Sequence, residues 1–198
     1  KAYENFPVAS LFIPSHLRPH VNTFYGFARA IDDIADSNSI GSPEKIERLT
    51  GFENAILGKD TASPGFSKAH SMRQSLQETG VTNQHCIELI KAFKQDASKL
   101  RYENWDELID YCQMSAAPVG RYLLDLHGES NKKYQASDAL CNALQILNHL
   151  QDCKDDYLTL NRVYLPLDWM KNNGLEVECL DASKSRPELK SLIHQVLD

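Results

Sequence analysis

The stretch Tyr25-Gly26-Phe27-Ala28-Arg29-Ala30-Ile31-Asp32-Asp33-Ile34-Ala35-Asp36 leaves the chain little choice of fold. Val21, Phe24, Phe27, Ala28 and Ile31 recur at the spacing of one buried helix face, and Pro19 suits that helix's first turn. At about 100° per residue, Tyr25, Arg29, Asp32 and Asp36 fall within roughly 60° of one another on a second face. Asp33 sits at the edge of that face. Two like charges four residues apart cost an isolated helix roughly 0.2–0.5 kcal/mol. Both acids also lie in the last turns, where the helix macrodipole disfavours negative charge. Such a helix end is either simply solvated or gains something from a cation.

The same pattern returns late in the chain. On a helix expected over 137–158, Gln145, Asn148, Asp152 and Asp156 again share one face, towards the C-terminal end. The opposite face holds Leu140, Leu144, Leu147 and Leu158, with Leu150 nearer the side. The physical use of two such faces is a divalent metal. Mg2+ wants hard oxygen ligands, keeps several waters, and is usually held by one or two carboxylates plus substrate phosphate. Two acidic faces opposed across a bundle would hold a diphosphate through bridging Mg2+, with Arg29 and Tyr25 as further donors to phosphate oxygens. Metal-bound diphosphate leaves readily, because charge is neutralised where it develops. The carbocation left behind needs a dry, apolar cavity. A di-iron centre is disfavoured, since it needs Glu-x-x-His pairs and the seven histidines form none.

Residues 1–14, with Pro7 and Pro14, read as an extended entry segment, and the rest of the chain as further helices joined by loops. Ser42-Pro43-Glu44 reads as a helix start with Ser42 as N-cap, and Gly58 as its stop. Ser63-Pro64 repeats the start signal, and Gly80 ends the next helix. Thr82 or Asn83 begins another, with Ile87, Ile90, Ala92 and Phe93 towards the core. Asn104-Trp105-Asp106-Glu107 is a capping box, opening a helix that runs through Tyr111, Cys112 and Val119 to Leu126 with a kink at Pro118. Its small residues Ser115, Ala116, Ala117 and Gly120 either leave room for a bulky ligand or let helices pack closely. Ser185-Arg186-Pro187 starts a final helix, in which the pattern stops at Asp198. With no useful β alternation, no Gly-rich phosphate loop and no solenoid period, the reading is all-α with seven or eight helices.

At 198 residues the chain is expected to be one domain with a real core, or most of one. A net charge of −6 without a basic stripe argues against nucleic acid. Cys86, Cys112, Cys141, Cys153 and Cys179 are scattered and odd in number, which reads as reduced packing thiols of a cytosolic protein. No apolar run approaches the ~18 residues of a membrane span, and no stretch of the sequence reads as a signal peptide.

Taken together, four segments resemble the squalene/phytoene synthase family: Tyr25-x3-Arg29-x2-Asp32-Asp33-x2-Asp36, Tyr111-Cys112-x3-Ala116-x2-Val119-Gly120, Gln145-x2-Asn148-x3-Asp152-x3-Asp156 and Arg162-Val163-Tyr164-Leu165-Pro166. They stand in the family's order and span essentially the whole chain. Glu4-Asn5-Phe6-Pro7, Ala116-Ala117-Pro118-Val119-Gly120 and Gln151 before Asp152 resemble the branch that makes hydroxysqualene in bacterial hopanoid synthesis. In other branches the last of these positions often carries Arg.

The resemblance implies a class I isoprenoid (terpenoid) synthase bundle around a central cavity, as a single domain over 1–198. It also implies C-terminal helices that close the cavity in the family and are absent from this chain. It further implies Mg2+-dependent conversion of presqualene diphosphate and water to hydroxysqualene and diphosphate, without a nicotinamide. Asp32, Asp36, Asp152 and Asp156 would hold metal. Tyr25, Arg29, Gln145 and Asn148 would contact diphosphate or metal-bound water, and Asn5, Phe6, Tyr111, Ala116, Val119 and Gly120 would meet the rest of the substrate. The alternatives are condensation of two farnesyl diphosphates, or a non-catalytic relative acting in assembly. Peripheral contact with the inner face of the membrane fits so greasy a substrate, although no basic amphipathic helix supports it. Oligomeric state is not legible.

Overall fold

The computed structural model describes residues 13–198. The first helix, α1 (Arg18–Asp36), carries Pro19 in its first turn and buries Val21, Phe24, Phe27, Ile31 and Ala35. In α2 (Ser42–Ile56) the cap is Gly41 rather than the expected Ser42: its extended backbone lets its carbonyl accept from Lys45 N at 3.0 Å, and Ser42 is already helical. The Ser63-Pro64 signal first makes a 3-10 turn, Pro64–Phe66, before α3 (Ser67–Thr79) begins. Gly80 ends α3 in the left-handed conformation, φ 72°, which costs glycine little. After it come α4 (Gln84–Asp96), α5 (Trp105–Ser115), α6 (Ala117–Leu126), α7 (Tyr134–Leu160), α8 (Leu167–Asn172) and α9 (Pro187–Leu197).

The described residues thus form nine α-helices against the seven or eight expected. Their only β pairing is an isolated parallel bridge between Arg101 and Val163. Among them, no helix is long and apolar enough to cross a membrane.

Two local expectations are corrected. The helix expected to kink at Pro118 instead breaks into α5 and α6 at Ala116, whose backbone leaves helical geometry at φ −120°. Pro118 then lies in the first turn of α6, where its missing N–H is not needed. At the capping box Asn104 Oδ1 accepts from Glu107 N at 3.0 Å, as expected, but Glu107 Oε2 accepts from Glu103 N at 2.8 Å, one residue upstream of the cap.

Two cores hold these helices. One joins α1, α2, α3, α4 and α6 through Phe27, Ile31, Leu49, Met72 and Ile90, with Phe24 stacked on Tyr122 at 3.9 Å. The other joins α5, α8, α9 and residues 163–165 through Tyr102, Leu108, Tyr111, Met170 and Leu192. Each fully buried side chain of this size contributes about 1.5–3 kcal/mol. α7 lies against both α5 and α6 but buries only Asn142 and Ile146. Its contact with α6 is close because Gly120 has no side chain: a β-carbon there would collide with Ser137 Oγ and stand 2.7 Å from Cys141 Sγ.

Candidate functional site

The two acidic faces end at the same place. Asn161, in the left-handed conformation at φ 52°, stops α7 and turns the chain back; Asn tolerates that geometry better than most residues. Arg101 holds the turn, donating to the carbonyl of Asn161 and, at 2.7 Å, to its side-chain oxygen. Arg162 is thereby carried under the end of α1. Its Nη1 donates to Asp36 Oδ1 at 2.9 Å and its Nη2 to the carbonyl of Ala35 at 3.3 Å. Lys45 Nζ reaches that same carbonyl at 2.7 Å, so two cations cap the negative end of the α1 dipole.

The carboxylates feel one another strongly. Burial pushes the pKa of Asp32 up to about 7; Asp36 one turn on adds to this, and Arg29 opposes it. Burial also pushes Asp156 up to about 6, reinforced by Asp152 and opposed by Arg162, with Asp36 across on α1 adding further repulsion. The four expected metal ligands therefore sit within electrostatic reach as two helix pairs. They do not form one cluster: among the described residues no three acidic, histidine or cysteine side chains come together as a metal cage. Uncompensated carboxylates repel, and Asp36 is turned onto Arg162. This donor set suits a hard cation that keeps waters and draws further oxygens from its ligand.

The other expected residues divide. Arg29 is engaged on its own helix, at 2.9 Å from Asp32 and 3.3 Å from Asp33, and Tyr25 is half-buried one turn before it. Ala116, Val119, Gly120, Gln145 and Asn148 come together as lining of a groove of about 570 Å³ between α6 and α7, to which Leu123, Leu124, Leu140 and Leu144 add most of the remaining apolar wall and His127 and Glu129 a polar end. Gln145 and Asn148 belong to the acidic stripe of α7, so the apolar groove leads towards Asp152. Tyr111 is not part of the groove. It is buried, and its hydroxyl donates to Asp96 Oδ2 at 2.6 Å. Asn5 and Phe6 lie outside the described residues.

Sequence reasoning missed Asp96 and gave no role to Arg162 or Tyr164. Asp96 is 3% exposed at the end of α4, with Tyr164 Oη donating to its Oδ1 at 3.2 Å. Burial pushes its pKa up to about 6, against the pull of Arg162 and the Tyr111 hydroxyl. His149 stacks on Tyr164 at 3.6 Å, and burial followed by the Arg162 charge lowers its pKa to about 3, so it is neutral. A lone acid such as Asp96, without a partner at helical spacing, leaves no mark in a single sequence.

The family model described as squalene/phytoene synthase matches residues 1–198. The chain belongs to that family. It is 50% identical over 186 residues to a hydroxysqualene synthase of Rhodopseudomonas palustris, covering 94% of this chain and 63% of that one. It is 47% identical over 182 residues to a hydroxysqualene synthase of Sinorhizobium fredii, covering 92% and 61%. The chain therefore spans less than two thirds of the length of these relatives. Among solved structures, squalene synthase HpnC from Alicyclobacillus acidocaldarius superposes with a TM-score of 0.80 at 32% identity, covering 98% of this chain and 73% of that one.

Proposed function

We propose that the protein, in its full length, converts presqualene diphosphate and water to hydroxysqualene and diphosphate with Mg2+. The observation that carries this is the mutual repulsion of two carboxylate pairs, on α1 and α7, the latter beginning one turn along α7 from Asn148 of the apolar groove. The names of the two bacterial relatives, both hydroxysqualene synthases, support this reaction among those of the family.

Asp32 and Asp36 on one side, and Asp152 and Asp156 on the other, would hold the metal. Bound there, Mg2+ supplies positive charge that stabilises the departing diphosphate. Arg29, Tyr25, Gln145 and Asn148 lie on the same two helix faces and are assigned to the diphosphate oxygens or the waters around them. The hydrocarbon would lie along Ala116, Val119, Gly120 and Leu144, whose apolar surface excludes stray water while cationic carbon rearranges. One water must be admitted to form the C–O bond. Reduction plays no part in this balance.

A second reading, condensation of two farnesyl diphosphates, is favoured by the name of the solved relative, a squalene synthase. Incubation with each diphosphate separately, with Mg2+ and without nicotinamide, separates the two. The proposal expects presqualene diphosphate to be consumed and hydroxysqualene to appear. Consumption of farnesyl diphosphate alone would assign the second reading instead.

A further inference from the structure

Arg162 is 5% exposed and lies outside the groove lining, yet it holds both acidic helices at once. Its side chain donates to the carboxylate of Asp36, the last acid of α1, at 2.9 Å. Its main-chain N–H donates to the carbonyl of Asp156, the last acid of α7, at 3.1 Å. Inwards, Nη1 also reaches Tyr164 Oη at 3.4 Å, and that hydroxyl donates to buried Asp96. A hydrogen-bonded line thus runs from Asp96 through Tyr164 and Arg162 to Asp36. Nε of Arg162 is buried without a partner, a cost that a merely convenient buried cation would avoid by turning.

We infer that Arg162 is a positioning residue that sets the spacing between the two carboxylate pairs and the direction of the Asp36 carboxylate. Asp96 and Tyr164 act as the anchor behind it. The inference rests on the metal–diphosphate reading of the site and extends it to residues that contact neither metal nor substrate. Guanidinium is required because two divergent donors serve Asp36 and Ala35, which an ammonium on a flexible stem does not reproduce. Groups behind a metal ligand typically govern its affinity by roughly 10- to 100-fold.

The test is calorimetric titration of the protein with inorganic pyrophosphate in the presence of Mg2+, alongside melting temperature, and needs no turnover. Arg162→Lys is expected to remain folded and to bind at least roughly tenfold more weakly than the unsubstituted protein. Asp36→Asn is expected to weaken binding similarly, and the double variant to be no weaker than Asp36→Asn alone, because Arg162 acts through that carboxylate. Multiplying losses in the double variant, or unchanged affinity in Arg162→Lys, would overturn the inference while leaving the site reading intact. If the unsubstituted protein binds no pyrophosphate with Mg2+, the site reading fails and takes the inference with it. Should Arg162→Lys not fold, Tyr164→Phe cuts the anchor but keeps the ring stacked on His149. A loss of roughly threefold is expected there, and none would overturn the anchor.

Discussion

Asp32 carries the conflict between stability and function in one side chain. Its pKa, raised from 3.8 to about 7, means that the folded protein holds this proton more tightly than the unfolded chain. Its favourable contribution is complete below about pH 4 and is lost as the pH rises through about 7. Asp96 and Asp156, raised to about 6, act with the same sign. Metal-free protein is therefore expected to melt at a lower temperature at about pH 8 than at about pH 5, with Asp32→Asn flattening that slope. The same variant should raise the metal-free melting temperature at about pH 8 and lose Mg2+-dependent pyrophosphate release. Calorimetric scans and a pyrophosphatase-coupled phosphate assay read both; a lower melting temperature would contradict the repulsion. Tyr111 calls for the opposite outcome. Tyr111→Phe removes a donor from Asp96 and should cost about 1–3 kcal/mol while leaving substrate KM unchanged, since the ring lies outside the groove. The acid pairs were legible in the sequence because a helix puts residues four apart on one face. The Arg162–Tyr164–Asp96 line was not, because its members come from a loop and a different helix, and no period links them.

Between α6 and α7, Gly120 decides how closely two elements approach. Gly120→Ala should destabilise the fold by about 1–3 kcal/mol, because Ser137 and Cys141 stand where the β-carbon would go. Chemical denaturation measures it, and a neutral result would mean that the helices part without cost. Of the two readings of the small-residue stretch, the structure bears out close packing at Gly120, which with Ala116 and Val119 also lines the space beside that contact. Some element boundaries were readable because a backbone-specific residue marks them, as Pro19 and Gly80 do for α1 and α3. The break at Ala116 was not, because Pro118 is equally at home in a kink and in a first turn, and only packing of α5 and α6 decides between them.

Across the whole molecule, apolar pattern and burial part company on α7. Leu140, Leu144, Leu147 and Leu158 are 61%, 47%, 47% and 51% exposed, although their periodicity is that of a buried face. A hydrophobic stripe tells which face of a helix is apolar, not whether the described residues supply something to cover it. Neighbouring positions should therefore respond differently. Ile146 faces the second core, so Ile146→Ala is expected to cost about 2–5 kcal/mol. Leu147→Gln, one residue on, should change stability by no more than about 0.5 kcal/mol and reduce binding of an apolar dye such as ANS. Denaturation curves on residues 1–198 give both values under one condition. A loss at Leu147 equal to that at Ile146 would show the stripe to be packed in solution, and the groove beside Leu140 and Leu144 to be closed rather than open.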